Sequence, residues 1–136
     1  IAASFCCTHC TIFFDTFIDV DRSYFVRSGF YDRLYNPKRP AMIVRHLVSF
    51  FKVHPAAGVL RIRHSAGPWG LEISFREGKK GFLLENSEEI SFPELTGNNQ
   101  GSAECLDLTE GTWESISLSE NANFSKKGYF LFLLPS

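Results

Sequence analysis

Along this chain of 136 residues, apolar and polar positions change their spacing in ways that mark out strands, one helix and the turns between them. Trp69, Leu71, Ile73 and Phe75 alternate with Gly70, Glu72 and Ser74, a period of two that predicts a strand with one buried face. Val59 to Arg63 reads as its partner strand, and the link His64 to Pro68 is short enough for a hairpin. The basic turn Arg76 to Gly81 leads to a third strand of the meander at Phe82 to Leu84. Gly128 to Leu134 is almost wholly apolar, the signature of a central strand covered on both faces. Between Arg45 and Lys52 the spacing becomes helical, with Leu47, Val48, Phe50 and Phe51 on the buried side and His54-Pro55 as the stop.

The remaining segments are read as follows. Ser23 to Phe30 is expected to be a first strand and Ala41 to Val44 a brief second one. Tyr31 to Pro40 is a loop, punctuated by Asn36-Pro37 and closed by Pro40. Cys6 to Val20 forms a short helix or an extended lead-in. Short strands are placed at Ile90 to Phe92 and near Cys105 to Leu108, and a short helix or turn at Trp113 to Leu118. The length suits one domain with a single sizeable core; 14 Phe is a heavy share, and Phe on alternating positions favours sheet.

Charge sharpens the picture. The formal net charge of −1 alone argues against nucleic acid, but it is an average over two unlike parts. Residues 85–110 hold Glu85, Glu88, Glu89, Glu94, Glu104, Asp107 and Glu110 with no Lys or Arg; the rest, with 14 basic and 8 acidic residues, stands at +6. Such a remainder is electrostatically competent to bind phosphates if the acidic segment points elsewhere. No apolar run approaches the roughly 18 residues needed to span a bilayer, and the opening Ile1 to Phe5 is no complete signal peptide. The chain opens on Ile rather than Met, which reads as a start inside a longer protein.

Three of the four cysteines, Cys6, Cys7 and Cys10, crowd into five residues, a spacing that does not staple a small secreted fold and reads as reduced thiols. Cys7-Thr-His-Cys10 is half of a zinc site without a second close pair, so no metal and no cofactor is expected. Asn123-Phe124-Ser125 is a formal glycosylation sequon. No Gly-rich phosphate loop, His-Glu-x-x-His or nucleophile with an evident base occurs, and the chain reads as a non-enzyme.

Several weak signals fall in one order: Ser23-Tyr24-Phe25-Val26, then Met42-Ile43-Val44-Arg45-His46-Leu47-Val48-Ser49-Phe50-Phe51, then Trp69, Gly111-Thr-Trp-Glu-Ser-Ile116, and Gly128-Tyr-Phe-Leu-Phe132. In that order the chain resembles the plant B3 DNA-binding domain, most closely its reproductive-meristem branch, some members of which also carry a Cys-rich lead-in like Cys7-x-x-Cys10 with Phe13-Phe14. The resemblance covers most of the chain from Tyr24 onward. It implies a mainly β fold, an open seven-stranded pseudobarrel with two short helices, preceded by a Cys/aromatic lead-in at 1–22. The B3-like domain then spans 23–136 and carries an acidic insertion at about 85–110. The family pattern has a proline where Val44 stands, an Asp where Tyr129 stands, and a further strand beyond Ser136.

The resemblance implies a nuclear plant transcriptional regulator that grips the major groove of double-stranded DNA between two basic arms. The first arm is Arg27 to Pro40, with Arg27, Arg33, Lys38 and Arg39; the second is Arg76 to Gly81, with Arg76, Lys79 and Lys80. Arg33 and Arg39 are assigned to base edges, since arginine pairs bidentately with guanine, and Lys38, Lys79 and Lys80 to the backbone. With about four to six phosphates neutralised, log K should fall with log salt at a slope near −4 to −5. Trp69 and Trp113 are expected in the core. A protein partner through the acidic insertion is also open, as is a non-catalytic β-sandwich or barrel interaction module, secreted or intracellular, with no nucleic-acid role.

Overall fold

The computed structural model describes residues 1–7, 10–13, 18, 29–63, 70–86, 90–91, 101–119 and 123–135. Within these, the protein is mainly β with two helices. Helix α1 covers Ala2–Phe5 and α2 covers Arg39–Val53. The strands are β1 (Ala56–Arg63), β2 (Gly70–Phe75), β3 (Lys80–Asn86), β4 (Ile90–Ser91), β5 (Gly101–Asp107), β6 (Trp113–Leu118), β7 (Asn123–Phe124) and β8 (Gly128–Leu133). Six of them form one open antiparallel sheet in the order β1-β2-β3-β8-β5-β6, and β4 pairs with β7 as a separate ribbon. The described strands thus form an open six-stranded sheet and a ribbon.

Strand β8 lies between β3 and β5, as its apolar run requires. Its side chains alternate between two cores. Leu131 and Leu133 join Leu71, Ile73, Phe75, Leu83 and Leu106 under α2, while Phe130, Phe132 and Leu134 join Phe82, Leu84, Ala103, Cys105 and Leu118 on the opposite face. Phe124 of the β4–β7 ribbon covers that second face, its ring edge-on to Phe130 at 4.8 Å and to Phe132 at 5.1 Å. Each buried Phe contributes about 1.5–3 kcal/mol of apolar transfer, and each edge-on pair about 0.5–1.5 kcal/mol more. Asn86, the one buried polar residue among those described, ties this layer to the sheet by donating its amide to the Lys126 carbonyl at 2.7 Å.

Helix α2 corrects the reading of Ala41 to Val44 as a strand. Ile43 packs on the same core as buried Leu47, Phe50 and Phe51, a 3.6-residue spacing that carries the β-branched start into one continuous helix. Pro40 sits in the first turn, where its missing N–H leaves no bond unmade. The His54 N–H bonds the Phe50 carbonyl at 2.9 Å, and Pro55 then ends the helix.

Strand β6 is the second correction, because Trp113 to Leu118 is neither helix nor turn. Ile116 and Leu118 face the second core in a period of two while Ser115 and Ser117 are exposed. Trp113 is 50 % exposed rather than buried, although its ring stacks on Phe50 at 6.0 Å. The acidic segment is not wholly an excursion, since Gly101–Asp107 is strand β5, hydrogen-bonded to the central strand. The expected first strand falls largely on 23–28, outside the described residues, as do Trp69 and the link 64–68. No helix among the described residues is long and apolar enough to cross a membrane.

Candidate nucleic-acid interface

Basic side chains gather along α2 and at its two ends. At the N-terminal end the chain makes a stapled turn. Asp32 Oδ1 accepts from the Leu34 and Asn36 amides at 2.8 and 2.9 Å, and Oδ2 accepts from Asn36 Nδ2 at 2.9 Å. The bonds from Asn36 hold the Asp32 carboxyl below its ordinary range. Tyr35 takes a left-handed φ of 63° to close the turn, and the Lys38 amide bonds the Phe30 carbonyl at 2.8 Å. Exposed Arg33 therefore projects from a short rigid turn, with Lys38 as the N-cap of α2 and Arg39 as its first residue.

Arg39 is held from behind. Its guanidinium lies 5.3 Å from the Tyr129 ring centroid, and Nε donates to Thr109 Oγ1 at 3.3 Å. Tyr129 in turn donates its hydroxyl to Glu85 at 2.8 Å, which raises the phenol's pKa. His46 Nδ1 meets the Leu108 carbonyl at 2.8 Å and must carry the proton there, because a carbonyl only accepts. Beneath that ring sits Gly111 at φ +74°, where a Cβ would come within 2.5 Å of His46 Nε2. The β5–β6 turn is thus moulded to the start of α2, and it fixes where the helix points its first cations.

That start is electrostatically unusual. Helix N-termini carry partial positive charge and favour anions. Here the cap and first residue are Lys38 and Arg39, there is no acidic residue in the first turn, and no side chain caps the helix. Two cations at the positive end of a dipole cost about 0.3–1 kcal/mol each at an exposed site. An incoming phosphate would remove that cost.

From Lys38 the exposed face continues through Arg45 to Lys52, a spacing of seven residues that returns to one side of the helix. Both side chains are exposed and neither has an ion pair among the described residues. The second basic turn adjoins the other end of α2, where the Arg76 amide bonds the Pro55 carbonyl at 3.1 Å. Glu77 in this turn lies 3.8 Å from Lys79 and 3.9 Å from His54, so Lys79 is partly neutralised while Arg76 and Lys80 are exposed.

The described parts of the two predicted arms adjoin the two ends of α2. Those ends are about 21 Å apart for 14 residues at a 1.5 Å rise. Arg27 lies outside the described residues. The residues that sequence reasoning missed are Arg45 and Lys52, which connect the ends. A signal for them was present: residues 33–71 contain seven Lys or Arg and no Asp or Glu.

The described residues hold no group of three or more His, Cys, Asp or Glu placed to bind a metal ion. All four cysteines are free thiols, Cys7 and Cys10 exposed and Cys6 and Cys105 buried. Set against known proteins, the chain matches no family model and no curated sequence.

Proposed function

We propose that this protein binds double-stranded DNA, holding the phosphate backbone on the outer face of α2 and on the basic turns at its two ends. The carrying observation is the placement of Lys38, Arg39, Arg45 and Lys52 along one helix whose N-terminus is cationic and has no acidic or side-chain cap. Loops positioned by a rigid scaffold commonly present binding groups, and here Arg33 and Arg76 extend the same basic ridge at either end. Arg39, set against Tyr129 and Thr109, is the best-oriented candidate for a base edge, since its guanidinium plane is fixed before contact. Lys38, Lys79, Lys80, Arg45 and Lys52 serve the backbone.

The resemblance to the B3 domain supports the same reading and adds its finer parts: closure into a seven-stranded pseudobarrel, a nuclear plant regulator and entry into the major groove. In this form the contact is a ridge with two tips rather than a jaw, and the reading includes no catalytic step. The test is a titration of a fluorescein-labelled 20-base-pair duplex at 50 to 200 mM NaCl. Binding at low salt with log K falling at a slope of about −4 to −5 is expected. Absence of binding at 50 mM, or a flat salt dependence, refutes the proposal.

A further inference from the structure

The geometry points to a second interface, a groove on edge strand β6 that takes an extended basic segment of a partner protein. Strand β6 is an edge of the described sheet, where among the described residues only β5 pairs with it, and the outer backbone groups of an edge strand can take another strand. Trp113, Ser115 and Ser117 alternate on its exposed side. The Trp113 ring is backed by Phe50 at 6.0 Å with the planes 29° apart, which fixes the ring while half of its surface stays open.

That open ring lines a cavity of about 280 Å³ together with His54, Glu104, Glu114 and Ser115. Among the described residues no Lys or Arg lines it. Glu114 is paired with Lys126, whereas Glu104 is exposed and has no ion pair among the described residues. An aromatic face beside an uncompensated carboxylate favours a cation, which is attracted by both, over an apolar side chain, which would use only the ring. Nucleic acid is disfavoured, because the carboxylates repel phosphate. An extended peptide satisfies both features: its backbone continues the β6 ladder, and alternate Lys or Arg side chains fall on the Trp113–Glu104 face. The inference is independent of the DNA reading, which uses the opposite charge on α2.

The test uses the full chain and two fluorescein-labelled, capped octapeptides, one of alternating Lys and Val and one of alternating Glu and Val. The Lys peptide should bind, with affinity falling as salt rises, and the Glu peptide should bind at least about tenfold more weakly. Trp113→Ala should weaken binding about three- to fivefold. Glu104→Lys, at an exposed position that leaves the core untouched, should weaken it about tenfold or more. Methylating alternate backbone nitrogens of the Lys peptide should abolish binding, and Arg45→Ala with Lys52→Ala should leave it unchanged. Equal binding of both peptides, or unchanged affinity in Glu104→Lys, overturns the inference. So does a parent chain that sediments as a dimer while Glu104→Lys is monomeric, since a second copy would then be the occupant.

Discussion

Replacing Arg45 and Lys52 together by alanine isolates the basic ridge from the fold that carries it. Both side chains are exposed and absent from the two cores, and alanine is the strongest helix former, so stability should change by less than about 0.5 kcal/mol. The two positions are seven residues apart, about 10.5 Å along the helix axis. That length of duplex carries about six phosphate charges, enough to engage both cations. Each phosphate contact contributes about −0.9 to the slope of log K against log salt, so the double variant should flatten it by about 1.8. Because that term vanishes only near 1 M salt, the same arithmetic gives an affinity loss of about 60-fold at 0.1 M and about 20-fold at 0.2 M. Fluorescence anisotropy with the labelled duplex reads both quantities, and circular dichroism melts check the fold. If the double variant keeps the parent slope to within about 0.5 and loses less than about threefold in affinity, α2 is not the phosphate surface.

Three other perturbations test the fold that positions the ridge. Gly81→Ala would place a Cβ 2.7 Å from Phe75 Cε2 and 2.8 Å from the Phe132 carbonyl, a backbone group of the β3–β8 ladder that cannot step aside. A loss of about 3 kcal/mol is expected in urea unfolding, and a neutral result contradicts the register. Asn86→Ala removes the amide that meets the Lys126 carbonyl and should cost about 1–3 kcal/mol, with hydrogen exchange rising first at 123–128. Cys105 is buried, and desolvation pushes its thiol up to about 12 from the ordinary 9.0. In the native protein at pH 8, iodoacetamide should modify Cys7 and Cys10 but spare Cys105. The same raised pKa means that above pH 9 the unfolded thiol loses its proton while the folded one keeps it. Cys105 should then lower stability by up to about 1.4 kcal/mol per pH unit between pH 9 and 12, and the fall should be shallower in Cys105→Ala.

Much of the scaffold was legible without coordinates because its signals are local. The period of two at Leu71, Ile73 and Phe75, and the doubly apolar run at Phe130 to Leu134, state which strands bury one face and which bury two. His54-Pro55 ends α2 for reasons internal to the peptide bond. Where the reading failed, a local preference met a tertiary demand. Met42-Ile43-Val44 suits a strand by residue type, but burial of Ile43 with Leu47, Phe50 and Phe51 makes it helix. Trp113 to Leu118 alternates in a period of two, and its pairing with β5 makes it strand rather than the expected helix or turn.

The candidate site divides in the same way. The sequence by itself determined the charges: a cationic, acid-free stretch at 33–71 and an acidic one at 85–110. Only the tertiary structure decided their arrangement, because distance in space depends on which elements lie between two turns. Helix α2 separates the two basic turns by its own length and lines Arg45 and Lys52 up between them. Antiparallel pairing carries Glu104 to the outer strands beside a half-exposed Trp113. Long-range hydrogen bonds and packing set those placements, and no local window of residues encodes them.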